Sequence, residues 1–341
     1  MIYDLELKSP ITEQFSGQSV IDYLTDRFTY KTREQWLELI NSGAISINGE
    51  KVSKNYTLKA GIELCYTVHN YSEPDLDCNY HKIYVNENII VVSKPANLPI
   101  SSNHRFFKQN MTALLRENEK LSDINPIHRI DRETSGLLIY LKKRFDNPVS
   151  LRKDPRLIMA DKYYLAVVRG EISKKSFSIN VPLIVTNTQL IGYKVEAASK
   201  GTGKEASTDF YNLGTVKGFT LLLAKLNSGR KHQIRAHCSL AGFPIVGDKL
   251  YSFDSKYQLK KHNNEVFTEK DYQELGARYH LLHSFVLNLN LPKEGHKQVV
   301  SEYFSEDFKE YLKLFGEQAL EEARQITSTD GTGVLRGAPY S

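Results

Sequence analysis

The sequence predicts an α+β protein in two parts, and three observations carry that prediction. Residues 17–68 read as two short helices followed by short strands. Residues 69–81 are polar, contain Pro74 and read as a linker. From residue 82 to about 315, strand-like and helix-like stretches follow one another in mixed order, which by itself specifies α+β and no more. Residues 1–16 read as an N-terminal extension. Residues 316–341, rich in Ser, Thr and Gly from Ile326 onward, read as a partly disordered tail.

In the first part, Ser19 is placed to cap a helix carrying Val20, Ile21, Leu24 and Phe28. Thr32 is placed to cap a second, with Trp36, Leu37, Leu39 and Ile40 on its apolar side and Gly43 at its end. The stretch Ala44-Ile45-Ser46-Ile47 alternates apolar and polar residues and runs into Asn48-Gly49, a strong hairpin signal.

Three blocks stand out in the second part. The first is His128-Arg129-Ile130-Asp131-Arg132-Glu133-Thr134-Ser135-Gly136, which leads into the apolar run Leu137–Tyr140. It places one aspartate on a loop at a strand entrance between two arginines. Flanking cations keep a carboxylate ionised, as a nucleophile or base requires. By charge spacing alone, a surface ion pair or a turn-capping Asp is the commoner reading. The second block, Asp161–Gly170, is a strand by its aromatic and β-branched content; its paired Tyr163 and Tyr164 suit a sheet face or a stacking platform for an unpaired base. The third, Asn227–Cys238, follows the apolar strand Phe219–Leu223. It reads as a turn into a helix that ends near Gly242, with His232, Arg235 and Ser239 near one face and Ile234 and Cys238 near another.

Composition narrows the class. With 40% hydrophobic and 25% charged residues over 341 positions, the chain has the makings of a folded core. No apolar run approaches the roughly 18–20 residues of a membrane span, so no membrane partner is expected. Met1–Lys8 lack the pattern of a secretory leader. The three cysteines, Cys65, Cys78 and Cys238, are far apart, which argues against a disulfide framework and fits the cytoplasm. Ten scattered histidines offer no metal-ligand spacing, so no metal site is expected. The net charge of +5 is uneven: residues 141–204 hold thirteen basic against five acidic residues. A field of that sign suits a polyanionic partner.

Two resemblances organise these observations. Thr32-Arg33, Trp36, Ile40, Gly43, Ile45, Ile47-Asn48-Gly49, Lys51 and Gly61 resemble the S-four-type RNA-binding domain. The resemblance implies RNA contact by Arg33 at the start of the second helix, extended by Lys31, Lys51 and Lys54. The three blocks together resemble the RluA-type family of RNA pseudouridine synthases. Supporting pieces are Ser93-Lys94-Pro95-Ala96-Asn97, Gly242–Tyr251 and His280–Ser284. This resemblance spans about residues 17–300. It implies a pseudouridine synthase fold over 82–315, a mixed, largely antiparallel sheet with flanking helices. It implies isomerisation of uridine to its carbon-linked isomer, most readily in large-subunit ribosomal RNA and alternatively in transfer RNA. No cofactor, nucleotide or otherwise, is implied, and a monomer is expected.

Residue by residue, the resemblance makes Asp131 the essential aspartate, acting by attack or by proton abstraction from the sugar. Tyr164 becomes the tyrosine that stacks on the target base, and Arg235 the arginine that pairs with the aspartate. Arg129 becomes the residue that holds the flipped nucleotide or fills its place. Lys162 and His232 support the pocket and the RNA. The chain departs from the family at Asn97, where Gly is common, at Ile130 for Leu and at Ser228 for Thr. The segment between Leu141 and Tyr164 is short, and a charged insertion at 255–272 has no assigned role. Two other classes stay in view: a non-catalytic RNA-binding protein on the same fold, and a metal-dependent hydrolase.

Overall fold

The computed structural model describes residues 1–102, 105–142, 157–188, 192–199, 201–291 and 294–328, and the backbone of 333–336. The chain divides into two compact units, 1–75 and 76–341.

The N-terminal unit pairs strand β1 (Ile2–Pro10) with two helices, α1 (Val20–Arg27) and α2 (Arg33–Ser42), and with strands β2 (Ile45–Ile47), β3 (Glu50–Lys51) and β4 (Glu63–Ser72). Its sheet order is β1-β4-β2-β3. The expected caps form: Ser19 accepts from the Asp22 amide, and Thr32 and Gln35 make a reciprocal capping box. Asn48 and Gly49 both take positive φ, the geometry a two-residue hairpin needs, and Ile47 faces Glu50 across it. Trp36, Tyr23, Leu24, Ile45 and Leu64 fill the core.

Two boundaries differ from expectation here. Residues 1–16 are not an extension: Ile2–Pro10 pair antiparallel with β4, and Leu5 is buried. The alternation Leu5-Glu6-Leu7-Lys8 is a strand period in itself. The stretch 69–81 is not wholly a linker, because β4 continues through Ser72; Asp4 holds its end by accepting from the Asn70 amide.

The larger unit contains β5 (His81–Val85), β6 (Ile89–Lys94), α3 (Met111–Glu119), β7 (Ile124–Pro126), β8 (Ser135–Lys142), β9 (Met159–Arg169), β10 (Ser176–Asn180), β11 (Leu183–Thr188), β12 (Gly192–Ala197), β13 (Ser207–Val216) and β14 (Phe219–Leu226). These lead to α4 (Gln233–Leu240), α5 (Lys256–His262), α6 (Glu269–Leu275), β15 (Leu282–Leu291), β16 (Gly295–Val300), α7 (Glu306–Phe315), α8 (Glu317–Thr327) and β17 (Gly333–Arg336). The main sheet runs β10-β13-β14-β9-β15-β8-β6-β5, with β7 on β8 and β16 on β15. It is largely antiparallel; β15–β8 and β16–β17 are parallel. β11 and β12 form a separate hairpin. This is the mixed sheet with flanking helices that the family resemblance implied.

Both faces of the sheet are covered. On β6, Ile89 and Val91 enter one cluster with Leu137 and Ile139, while Ile90 and Val92 enter another with Leu138, Tyr140 and the α3 residues Met111 and Leu115. Hence β6 and β8 read as unbroken apolar runs. Within the stretch 316–341 expected as a partly disordered tail, residues 317–327 form a helix, because Ala319, Ala323 and Thr327 recur at helical spacing and are buried. Lys143, Arg144, Arg152, Lys153, Arg156 and Lys200, part of the basic stretch, lie outside the described residues, as does most of the short segment after Leu141.

Candidate active site

Three segments converge where the sequence blocks predicted chemistry: the entrance of β8, the middle of β9 and the turn after β14. The loop before β8 carries Asp131. β9 carries Tyr164, in register with Ala224 of β14 and Ser284 of β15. β14 leads through a turn into α4, which carries Arg235.

The aspartate loop is pinned by its backbone. The His128 Nε2 accepts from the Ile139 amide at 3.2 Å, and the Thr134 amide donates to the Asp131 carbonyl at 3.1 Å. Lys94, fully buried, donates to the Pro95 and Arg132 carbonyls at 2.8 and 2.9 Å. Burial pulls its pKa down to about 7. Arg132 donates through Nε to the carbonyl of Asn97. Asn97 adopts φ of 66°, so the departure from Gly is accommodated. The turn before α4 is braced by Gln233, which accepts from Ser228 Oγ and the Arg230 amide and donates to Ser207 and Thr208.

At the centre, Arg235 joins two carboxylates. Its Nη1 donates to Asp131 Oδ2 at 2.7 Å. Its Nε and Nη2 donate to Asp248 Oδ2 and Oδ1 at 2.7 and 2.9 Å. This is bidentate guanidinium–carboxylate geometry. Asp248 is fully buried and also accepts from the Leu250 and Tyr251 amides. Burial alone raises a carboxyl pKa, but Arg235 outweighs it and holds both aspartates below the usual carboxylate range. Asp131 is the outer member: a quarter of its side chain is exposed, against none of Asp248.

His232 Nε2 lies 3.7 Å from Asp131 Oδ1. Burial lowers its pKa to about 4, so it is neutral at pH 7 and Arg235 is the cation that balances Asp131. His232 Nδ1 faces the Tyr251 hydroxyl at 3.2 Å, and that hydroxyl accepts from the Val195 amide. The Tyr251 ring lies 5.1 Å from the Arg235 guanidinium. Tyr164 is buried and feels the Asp131 charge; burial pushes its phenol up to about 12. Lys162 stands two residues along β9, on the same face. It is partly buried against Gly229, and burial lowers its pKa.

The structure thus brings together Asp131, Arg235, His232, Tyr164 and Lys162. Arg129 is exposed on the same loop. Arg33 and Lys51 belong to the N-terminal unit: Arg33 makes an exposed ion pair with Asp22 at 2.8 Å, and the Lys51 stem lies over Gly43. The sequence reading missed Asp248 and Tyr251 as site residues, although both stand in the Gly242–Tyr251 stretch. It also missed Glu133, which accepts from Lys249 and Lys261 at 3.1 and 3.0 Å.

Fold and site define an α+β domain organised around one arginine that holds two ionised aspartates, with a buried tyrosine near the outer one. Residues 88–240 match the family described as RNA pseudouridylate synthase. Over 252 residues the chain is 26% identical to RNA pseudouridine synthase 7 of Oryza sativa, covering 73% of this chain and 64% of that one. It thus spans less than two thirds of that relative's length. Over 314 residues it is 27% identical to ribosomal large subunit pseudouridine synthase C of Buchnera aphidicola, covering 89% and 95%. Its fold resembles that of human RNA pseudouridylate synthase domain containing 1, with a TM-score of 0.53 and 21% identity over 75% of this chain and 98% of that one. In sequence the chain is thus similar to RNA pseudouridine synthases over most of its length.

Proposed function

We propose that this chain isomerises specific uridines in structured RNA to pseudouridine, without a cofactor, as a cytoplasmic monomer. The observation that carries the proposal is the Asp131–Arg235–Asp248 array, with its outer carboxylate ionised and reachable. The reaction breaks the bond from the sugar to N1 and forms one from the same sugar carbon to C5. A proton leaves C5 and one is gained at N1, so nothing else need enter or leave. Asp131 serves the bond-breaking step, Arg235 orients it, and Tyr164 stacks on the base. The reacting bond is inaccessible in a stacked helix, so the uridine must flip out, at a cost of a few kcal/mol. Arg129 is exposed two residues from Asp131 and suits the vacated position.

Large-subunit ribosomal RNA is the proposed target. The name of the Buchnera relative supports it, as does the order of helices and strands in the N-terminal unit, which matches an RNA-binding reading. Arg33 and Lys51 would there contact phosphate. The Arg33–Asp22 pair is exposed and screened by water, so exchanging Asp22 for phosphate is inexpensive. Carbodiimide modification and primer extension on unmodified ribosomal and transfer RNA test the proposal. A stop seen with wild type and absent with Asp131→Asn is expected. A stop that persists in Asp131→Asn removes Asp131 from the chemistry. RNA binding with no stop on any substrate favours a binding protein.

A further inference from the structure

The charged insertion is built as a strut. Its helices α5 and α6 pair with each other through Lys256–Glu274 at 3.1 Å and Lys260–Asp271 at 2.7 Å. Tyr257 is buried between them and donates to Glu274. Both ends are tied to the domain. Arg169 of β9 donates to the Glu274 carbonyl and lies over the Phe253 ring, and the Gly247 amide donates to the Leu275 carbonyl. Three of the insertion's lysines, 256, 260 and 261, are therefore spent on carboxylates of this chain. That argues against reading them as a phosphate clamp.

Lys261 is the one of the three whose partner lies outside α5 and α6. It reaches Glu133 Oε1 at 3.0 Å. Glu133 follows Asp131 by two residues and is nearly buried, with 12% of its side chain exposed. Its other oxygen accepts from Lys249, which also donates to the Arg278 carbonyl. The neighbour of Lys249 is Asp248, the residue that holds Arg235. One dipeptide thus anchors both partners of the central pair: Asp248 fixes Arg235, and Lys249, aided by Lys261, fixes the aspartate loop. Thr134, whose amide closes the Asp131 turn, bonds His280 Nε2 at 2.8 Å and completes the support.

We propose that Glu133 and Lys261 are positioning residues, and that the insertion holds the Asp131 loop in register with Arg235. The rate consequence rests on the isomerase reading; the loop consequence does not. The test uses full-length Lys261→Met, Lys261→Arg and Glu133→Gln, with Lys270→Met as a control on the insertion's surface. Amide hydrogen exchange over residues 128–134 is expected to quicken in Lys261→Met and Glu133→Gln and to return to the wild-type rate in Lys261→Arg. Single-turnover isomerisation is expected to fall about fivefold in Lys261→Met, with RNA affinity unchanged. Unchanged loop exchange overturns the strut. Faster exchange with an unchanged rate, or weaker RNA binding with an unchanged rate, overturns the positioning role. A wild type inactive on every RNA, with loop exchange still responding, leaves the strut standing and defeats the isomerase reading instead.

Discussion

Replacing Asp248 with Asn is the sharpest test of how the site is held. Asp248 is fully buried and accepts four hydrogen bonds: two from Arg235, one from the Leu250 amide and one from the Tyr251 amide. Asn offers one acceptor oxygen and an NH2 group. In either amide orientation a donor faces a donor, and the charge is gone. Breaking a buried pair from one side costs about 3–5 kcal/mol. Because Asp131 remains as an anion for Arg235, the expected loss is near the lower figure. For a unit of this size that lowers Tm by about 10 °C. Arg235 is then free to swing toward Asp131, and a displacement on the order of 1 Å at the reacting group costs about a hundredfold in rate. RNA affinity should hold, since Asp248 has no surface. Release of tritium from C5 of labelled uridine in RNA, under single-turnover conditions, reads the rate; a thermal melt reads the stability. A variant with wild-type Tm and wild-type rate would refute the reasoning, because the array would then neither support the fold nor orient the chemistry.

Two further outcomes are expected. His283 is fully buried, with Nδ1 accepting from Ser135 Oγ and Nε2 donating to the Ser301 carbonyl, and burial lowers its pKa to about 4. Between pH 6.5 and 4 the unfolded chain takes up a proton that the folded one refuses, so stability falls as pH falls through that window; at pH 5 this ring alone accounts for about 2 kcal/mol. Urea midpoints at pH 7 and pH 5 check it, and equal midpoints would count against it. Gly136 adopts φ of 97°, and a Cβ there would land on the Ser284 backbone where β8 and β15 cross in parallel. Gly136→Ala is expected to lose more than about 3 kcal/mol or fail to fold; a melt within a few degrees of wild type would show that the crossing can relax.

What was legible in the sequence follows the range of the interactions. The helix caps at Ser19 and Thr32 and the Asn48-Gly49 turn are local, and each formed. Asp131, Arg235 and His232 were legible as a set because their surrounding motifs are specific; the helical spacing read for His232 does not hold, since it precedes α4 in a left-handed turn. Asp248 was not. In sequence it stands in a Gly-Asp turn, and its role arises only when the chain folds back to place it against Arg235. Glu133 and Lys261, separated by over a hundred positions, were invisible as a pair for the same reason. The N-terminal strand was missed although its alternation is short-range. The run Leu5–Lys8 is brief, and its partner β4 lies nearly sixty residues away. The helix 317–327 was hidden by the Ser/Thr/Gly-rich sequence that follows it, although Ala319 and Ala323 carry the helical period.

Under the proposed function, the balance of charge in the site bears on how an aspartate would serve a polyanionic substrate. An RNA strand approaching a lone carboxylate meets repulsion that a water-poor pocket strengthens. Here three carboxylates, Asp131, Glu133 and Asp248, are set against Arg235, Lys249 and Lys261, with Lys94 behind the loop. The pocket is therefore close to neutral although its reactive group is an anion. Asp248 does not supply this balance; it works against it, by taking two of the three hydrogen bonds that Arg235 gives. Its contribution is direction. Held from behind at two nitrogens, Arg235 keeps a single Nη1 contact to Asp131, which leaves the other carboxylate oxygen toward a neutral His232 among the described residues. Ionisation of Asp131 and availability of one of its oxygens are thus secured by different partners, and a site with Arg235 but without Asp248 would provide the first and lose the second.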